Sequence, residues 1–207
     1  MSDFFHEQIP DSYVTHACIV MELANWHTYQ VLTKRAKRMR ELLRTDLSAF
    51  GDLAHIWWGV TVENRQHGLP RIEALRQTPA AVRFLSIEPL LEDLGALNLT
   101  GIHWVIVGGE SGPRCRPMKP EWVRNIRDQC ETASVPFFFK QWGGFPKRKY
   151  GRELDGATYN AMPAAKHTQA AGSSLRRVMI EEVNGWYPTQ TEWIPLAMPL
   201  RAEAPSP

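Results

Sequence analysis

Residues 56–62 read Ile-Trp-Trp-Gly-Val-Thr-Val (IWWGVTV). Aromatic and β-branched residues dominate, which suits a strand, and the run is too short for a buried helix. It does not alternate between apolar and polar residues. A strand of that kind is covered on both faces, as strands of parallel sheets are. Four further runs share this character: Tyr29–Thr33 (YQVLT), Val82–Ile87 (VRFLSI), Trp104–Gly108 (WVIVG) and Pro136–Phe139 (PFFF). The five centres lie about 20–30 residues apart, the span of a strand plus a crossover helix.

The gaps hold helical patterns of uneven strength. Asp11–Ala24 places Val14, Ala17, Cys18, Met21 and Leu23 on one side. Ala36–Leu43 is basic outside and apolar at Met39, Leu42 and Leu43, and Pro70–Gln77 carries Ile72 and Leu75. Lys119–Ala133 is the clearest, with Pro120 suited to a first turn and Trp122, Val123, Ile126 and Cys130 as a stripe. Leu90–Leu99 fits neither period. Strand and helix alternating in this order imply an α/β fold with a parallel sheet. Beyond Trp142-Gly143-Gly144 the pattern changes to a loop-rich stretch, residues 146–207. There Arg176–Val183, Asn184-Gly185 and Trp186–Ile194 read as a β-hairpin over 176–195, because Asn-Gly favours a type I′ turn. The expected organisation is a β/α unit over residues 1–145 followed by this small extension.

Composition narrows the function classes. The 207 residues carry 24 Lys and Arg against 22 Asp and Glu, so no global charge draws the chain to nucleic acid or a membrane surface. No apolar run reaches the ~20 residues of a membrane span, and the opening MSDFFHEQIP lacks the regions of a signal peptide. The three cysteines, Cys18, Cys115 and Cys130, have no disulfide-scaffold or CxxC spacing, which suits a reducing cytoplasm. The seven histidines show no HxH or HExxH spacing, so no zinc site is expected.

Polar residues follow every strand run: Lys34 and Arg35, Glu63 and Asn64, Glu88, Glu110 and Ser111, then Lys140, Gln141 and Trp142. The C-terminal ends of parallel strands share one edge of the sheet, where α/β proteins build their sites. Lysines, an arginine and glutamates around one mouth suit a polar or anionic ligand and acid–base chemistry. Charged residues also follow strands simply where the chain re-enters water. Glu88 and Lys140 are the leading candidates for catalysis, because each abuts a very apolar strand and must find a partner. Gly108-Gly109-Glu110-Ser111-Gly112 offers a weak phosphate-cradle pattern that matches no established glycine motif. The cluster Lys34, Arg35, Lys37, Arg38, Arg40 and Arg44, with Glu41 its only acid, is an alternative nucleic-acid surface.

The blocks Gln30–Arg35 (QVLTKR), Trp58–Asn64 (WGVTVEN), Ser86–Leu91 (SIEPLL), Trp104–Gly112 (WVIVGGESG), Pro117–Cys130 (PMKPEWVRNIRDQC) and Pro136–Gly143 (PFFFKQWG) carry a resemblance. With Met1–Glu7 and Gly151–Pro163, they resemble an uncharacterised phage and prophage protein family that is radical-SAM-like and has a three-cysteine motif. Ala36 stands where that family usually has proline. The resemblance implies a (β/α) barrel of the TIM type, whose three-cysteine loop holds an iron–sulfur cluster that engages S-adenosylmethionine. In that frame MSDFFHE resembles the segment just after the third strand. The expectation is therefore an incomplete (β/α) barrel, corresponding to the last five strands of eight, in a truncated member that keeps the substrate side and holds no cluster itself.

Two competing expectations stand beside it: a nucleic-acid-binding or interaction module using residues 34–44, and a cluster-free barrel enzyme with Glu88 and Lys140 as acid and base. Opened sheet edges would favour self-association or a separately encoded N-terminal fragment. No membrane partner is expected.

Overall fold

The computed structural model describes residues 3–146, 150–165 and 168–185. Its centre is an all-parallel sheet of β1 (Tyr29–Thr33), β2 (Ile56–Thr61), β3 (Val82–Ile87), β4 (Trp104–Gly108) and β5 (Phe137–Gln141), in that order. Parallel neighbours need a crossover, and most come through helices: α1 (Asp11–Leu23) precedes β1, and α2 (Ala36–Arg44) with the short α3 (Ser48–Gly51) joins β1 to β2. Next come α4 (Arg65–Arg76) before β3 and α5 (Pro120–Thr132) before β5. Leu90–Leu99 forms no helix, so β3 reaches β4 through irregular chain.

Alternation along each strand divides the sheet into two faces. Val31, Trp58, Val60, Leu85, Ile87, Val105, Val107, Phe137 and Phe139 point to one side. There they join Val14 and Cys18 of α1, Met39 and Leu43 of α2, Ile72 and Leu75 of α4, and Val123, Ile126 and Cys130 of α5 in a single core. Burial of such side chains contributes about 1.5–3 kcal/mol each, so this layer dominates the stability. The opposite, inner face holds a smaller cluster of Trp57, Phe84, Trp104 and Ile106. Trp104 meets Trp57 edge-on at 5.6 Å and Phe138 at 6.0 Å. The central strands β2–β4 therefore do have two covered faces, with rings of the sheet itself covering much of the second, whereas β1 alternates between buried and exposed residues and departs from that expectation.

Residues 159–161 run beside β5: Phe139 N–H donates to Tyr159 O, Phe138 bridges antiparallel to Asn160, and the Trp104 indole donates to Ala161 O at 2.8 Å. At the other end, β1 pairs only with β2 among the described residues. Leu32 and Gln30 of β1 are exposed.

Three expectations change. Arg176–Val183 is not a strand; it lies within α6 (Ser173–Gly185). Its Arg, Met and Glu residues are good helix formers, and that local preference outweighs the Asn-Gly signal. The second hairpin strand, Trp186–Ile194, lies outside the described residues. α4 starts five residues before Pro70, because the Asn64 side chain caps it by accepting from His67 N–H at 2.8 Å. β5 extends through Lys140 and Gln141. No helix among the described residues is long and apolar enough to cross a membrane.

Candidate functional site at the strand ends

Continuing the alternation past the aromatic cluster puts polar groups on the inner face. In β3 the series is Phe84, Ser86 and then Glu88; in β5 it is Phe138 and then Lys140. Lys140 Nζ lies 3.2 Å from each Glu88 carboxylate oxygen, and the Ser86 hydroxyl donates to Glu88 Oε2 at 3.2 Å. β4 lies between the two strands, and only a residue without a side chain lets the pair meet across it. A Cβ on Gly108 would come within 2.5 Å of Glu88 Oε1. The Glu88 side chain is 19% exposed and that of Lys140 53%, so the carboxylate lies beneath and the ammonium faces water.

A second carboxylate sits at the end of β2. Glu63 is held by Lys34 on one oxygen and by Arg71 of α4 on the other at 2.6 Å, while Arg71 also donates to Thr61 O at 2.8 Å. Burial raises the Glu63 pKa, but hydrogen bonds from Lys34 and Arg71 more than offset it and leave it below its ordinary value. Lys34 repeats the other pair's arrangement: its side chain is half-exposed above a carboxylate that is 11% exposed.

The remaining candidates serve other purposes in the structure. Arg35 contacts Asp3 and Glu7, both at 3.4 Å. Asp3 also accepts from the Thr33 hydroxyl and from Lys34 N–H, tying the N-terminal segment to the end of β1. Asn64 is the α4 cap. Glu110 accepts three hydrogen bonds from Arg116, at 2.7–2.8 Å, which hold its carboxyl down to about 2. Ser111 accepts from Gln141 Nε2 at 2.9 Å. Trp142 turns toward the helix side, edge-on to Phe139 at 4.8 Å, with its indole N–H donated to Glu153 O. Gln141, Ser111, Glu110 and Trp142 are thus held by neighbouring loop groups, while Glu88 and Lys140 bond to each other and to Ser86.

The glycine run after β4 has a structural use. Gly109 N–H donates to Gln141 O and Gly112 N–H to Gly144 O, so these donors are spent on the β5 loop instead of facing an anion. Much of the basic segment is likewise committed inward. Arg38 binds the His6 and Ile9 carbonyls and Asp11, Arg40 binds Gln77 Oε1 at 2.9 Å, and Arg44 binds Gln77 O at 2.9 Å. Lys37 is exposed.

The cysteines do not suit a shared cluster. Cys18 and Cys130 are buried in the core from different helices, and burial pushes both thiols up to about 12; Cys115 lies on the β4–α5 loop. A cluster needs converging thiolates. Among the described residues no group of three or more His, Cys, Asp and Glu is disposed to hold a metal ion.

Sequence reading missed Arg71, Asp3 and the Ser86 hydroxyl. Arg71 comes from a helix face and Asp3 from a distant segment, and neither follows a strand. Ser86 had a usable signal: it precedes Glu88 by two residues, so alternation alone puts it on the same face.

No curated protein and no solved structure matches this chain. A family model does match, over residues 1–163, which takes in the whole sheet and both strand-end ion clusters. The chain belongs to that family, a protein family of unknown function (DUF5131).

Proposed function

We propose that the inner-face strand ends bind an anionic small molecule, on which Glu88 and Lys140 carry out acid–base chemistry. The observation that supports this is the contact of Lys140 Nζ with both Glu88 oxygens at 3.2 Å, with the ammonium on the solvent side. An incoming anion meets Lys140 first and competes for its charge. Glu88, released from the ion pair and still held by Ser86, is then free to accept a proton from the ligand. General acid–base help of this kind contributes about 10²–10⁴-fold in rate. Lys34 adds a second half-exposed cation along the same edge.

The test is a thermal-shift titration with inorganic phosphate, citrate and glucose 6-phosphate as probes. At least one should raise Tm by about 5–10 °C, roughly the effect of a ligand at 100 times its Kd on a chain of this size. Lys140→Met should lose the shift and Lys140→Arg should keep part of it. Glu88→Gln should still bind, since it removes the competing carboxylate. Lys140→Met responding like wild type to every probe would defeat the proposal.

The strand order supports a second reading, in which the sheet is the substrate-side wall of a radical-SAM-like barrel. A partner segment pairing onto β1 would supply the remaining strands and the cluster thiols. Five parallel strands in sequential order, one helix-covered face and a β1 that pairs with no second strand among the described residues fit such a wall. Bare edges invite pairing with other chains. The isolated protein is expected to run well above its 23.7 kDa monomer mass by light scattering, and Gln30→Lys with Leu32→Lys should return it toward that mass. A monomeric wild-type chain would count against this reading.

A further inference from the structure

The loops leaving β4 and β5 border a half-open cleft of about 510 Å³ that the Glu88–Lys140 site does not use. It opens on the helix side of the sheet. Met118 and Trp142, two of its walls, pack against the large core, whereas Lys140 follows Phe139 and so faces the opposite side.

The Trp142 indole is pinned by its bond to Glu153 O at 2.7 Å and by its edge contact with Phe139. Tyr150 lies so close over Gly144 that a Cβ there would come within 2.6 Å of its ring. Pro117, Met118 and Pro120 complete the apolar lining, and Arg116 supplies the main polar group. Arg116, the charged residue among the described lining, is engaged by Glu110 through three hydrogen bonds, so its charge is already met. Tyr150 is 58% exposed, so part of its surface borders the opening.

Small-molecule sites usually have this form: a few hundred cubic ångströms, mainly apolar and aromatic walls, and a few fixed polar groups. Ring faces and proline edges match a flat π-system better than a branched aliphatic one. We infer that this cleft binds a flat aromatic small molecule without net charge, seated against Trp142 and Tyr150. The inference is independent of the chemistry at Glu88 and Lys140.

Cys115, on the cavity wall, provides the readout. Cys18 and Cys130 are buried and their thiols pushed up to about 12, so iodoacetamide at mildly alkaline pH should label Cys115 first, as followed by peptide mass spectrometry. Millimolar indole is the flat probe and cyclohexanol the control of similar bulk. Saturable protection of Cys115 by indole, about threefold or more at several times Kd, is expected, with none from cyclohexanol. Tyr150→Ala, at an exposed position the fold should tolerate, should abolish the protection. The Trp142 indole N–H resonance, assigned with Trp142→Phe, serves as a second reading that needs no labelling and should shift with indole. The inference fails if neither reading responds to indole, if cyclohexanol protects equally, or if Tyr150→Ala leaves protection intact.

Discussion

Gly109→Ala is expected to destabilise the protein by about 3 kcal/mol or more, the upper end of the range for overpacking. A Cβ at this position would fall 2.0 Å from Trp142 O and 2.7 Å from its carbonyl carbon. The obstacle is main chain, so no rotamer change relieves the clash; the β4 and β5 loops must move apart. Separation would break Gly109 N–H to Gln141 O at 2.9 Å and Gly144 N–H to Glu110 O at 2.8 Å. These bonds extend the β4–β5 ladder just beyond the point where Glu88 passes over Gly108 to reach Lys140. Gly101→Ala is the control: its φ is +74° but nothing lies within 4 Å, so only left-handed backbone strain remains, about 1–2 kcal/mol. Urea unfolding of the three proteins makes the comparison. A Gly109→Ala midpoint equal to that of Gly101→Ala would show that the loops give way without cost.

The sheet was legible because its signal is coarse. Five runs such as IWWGVTV and WVIVG announce strands without reference to neighbours, and helical patterns in three of the four gaps between them imply parallel pairing. Where the fold departed from expectation, a local contact or preference decided. The Asn64 side chain starts α4 ahead of Pro70, and helix-forming residues over 176–183 outweigh one Asn-Gly pair. β5 runs on past Phe139 because backbone pairing continues although the side chains turn polar. Apolar content marks what a strand buries and not where its hydrogen bonds end.

The site was legible in one coordinate and hidden in the other. Residues following parallel strands must lie at one edge, which is how Glu88, Lys140, Glu63 and Lys34 could be named. Which of them meet depends on side-chain alternation and on what stands between. Alternation sends Lys140 inward and would send Trp142 the same way, but the strand ends at Gln141 and the ring turns back against Phe139 on the helix side. Gly108 permits contact across an intervening strand, a role invisible to motif reading because the same GGESG run also resembles an anion loop. Partners brought by other elements, such as Arg71 to Glu63 and Asp3 to Thr33, have no signature at all in strand-end spacing.

That hidden partner carries the other large effect. Arg71→Ala is expected to cost about 3 kcal/mol near neutral pH, the lower end of the range for breaking a buried ion pair. The lower end applies because Lys34 stays on the other Glu63 oxygen and is half-exposed. The loss has two parts: a carboxylate that is only 11% exposed keeps one cation in place of two, and Thr61 O loses its donor at 2.8 Å. Arg71→Lys keeps the charge but not both bonds and should cost about 1 kcal/mol, one hydrogen bond's worth. The sign of the pH dependence is set by the lowered Glu63 pKa. A carboxyl whose folded pKa lies below its ordinary 4.5 contributes stability that is fully present above that value and is lost as pH falls through the folded one. Without Arg71 the folded pKa rises and this contribution shrinks or reverses. The gap between wild type and Arg71→Ala should therefore be widest at neutral pH and should narrow as Glu63 protonates in both proteins. Urea unfolding at pH 7 and in stepwise acid measures it. A deficit that stays constant into acid would assign the loss to packing by the arginine stem, and one below about 1 kcal/mol at pH 7 would reduce the pair to the standing of a surface contact.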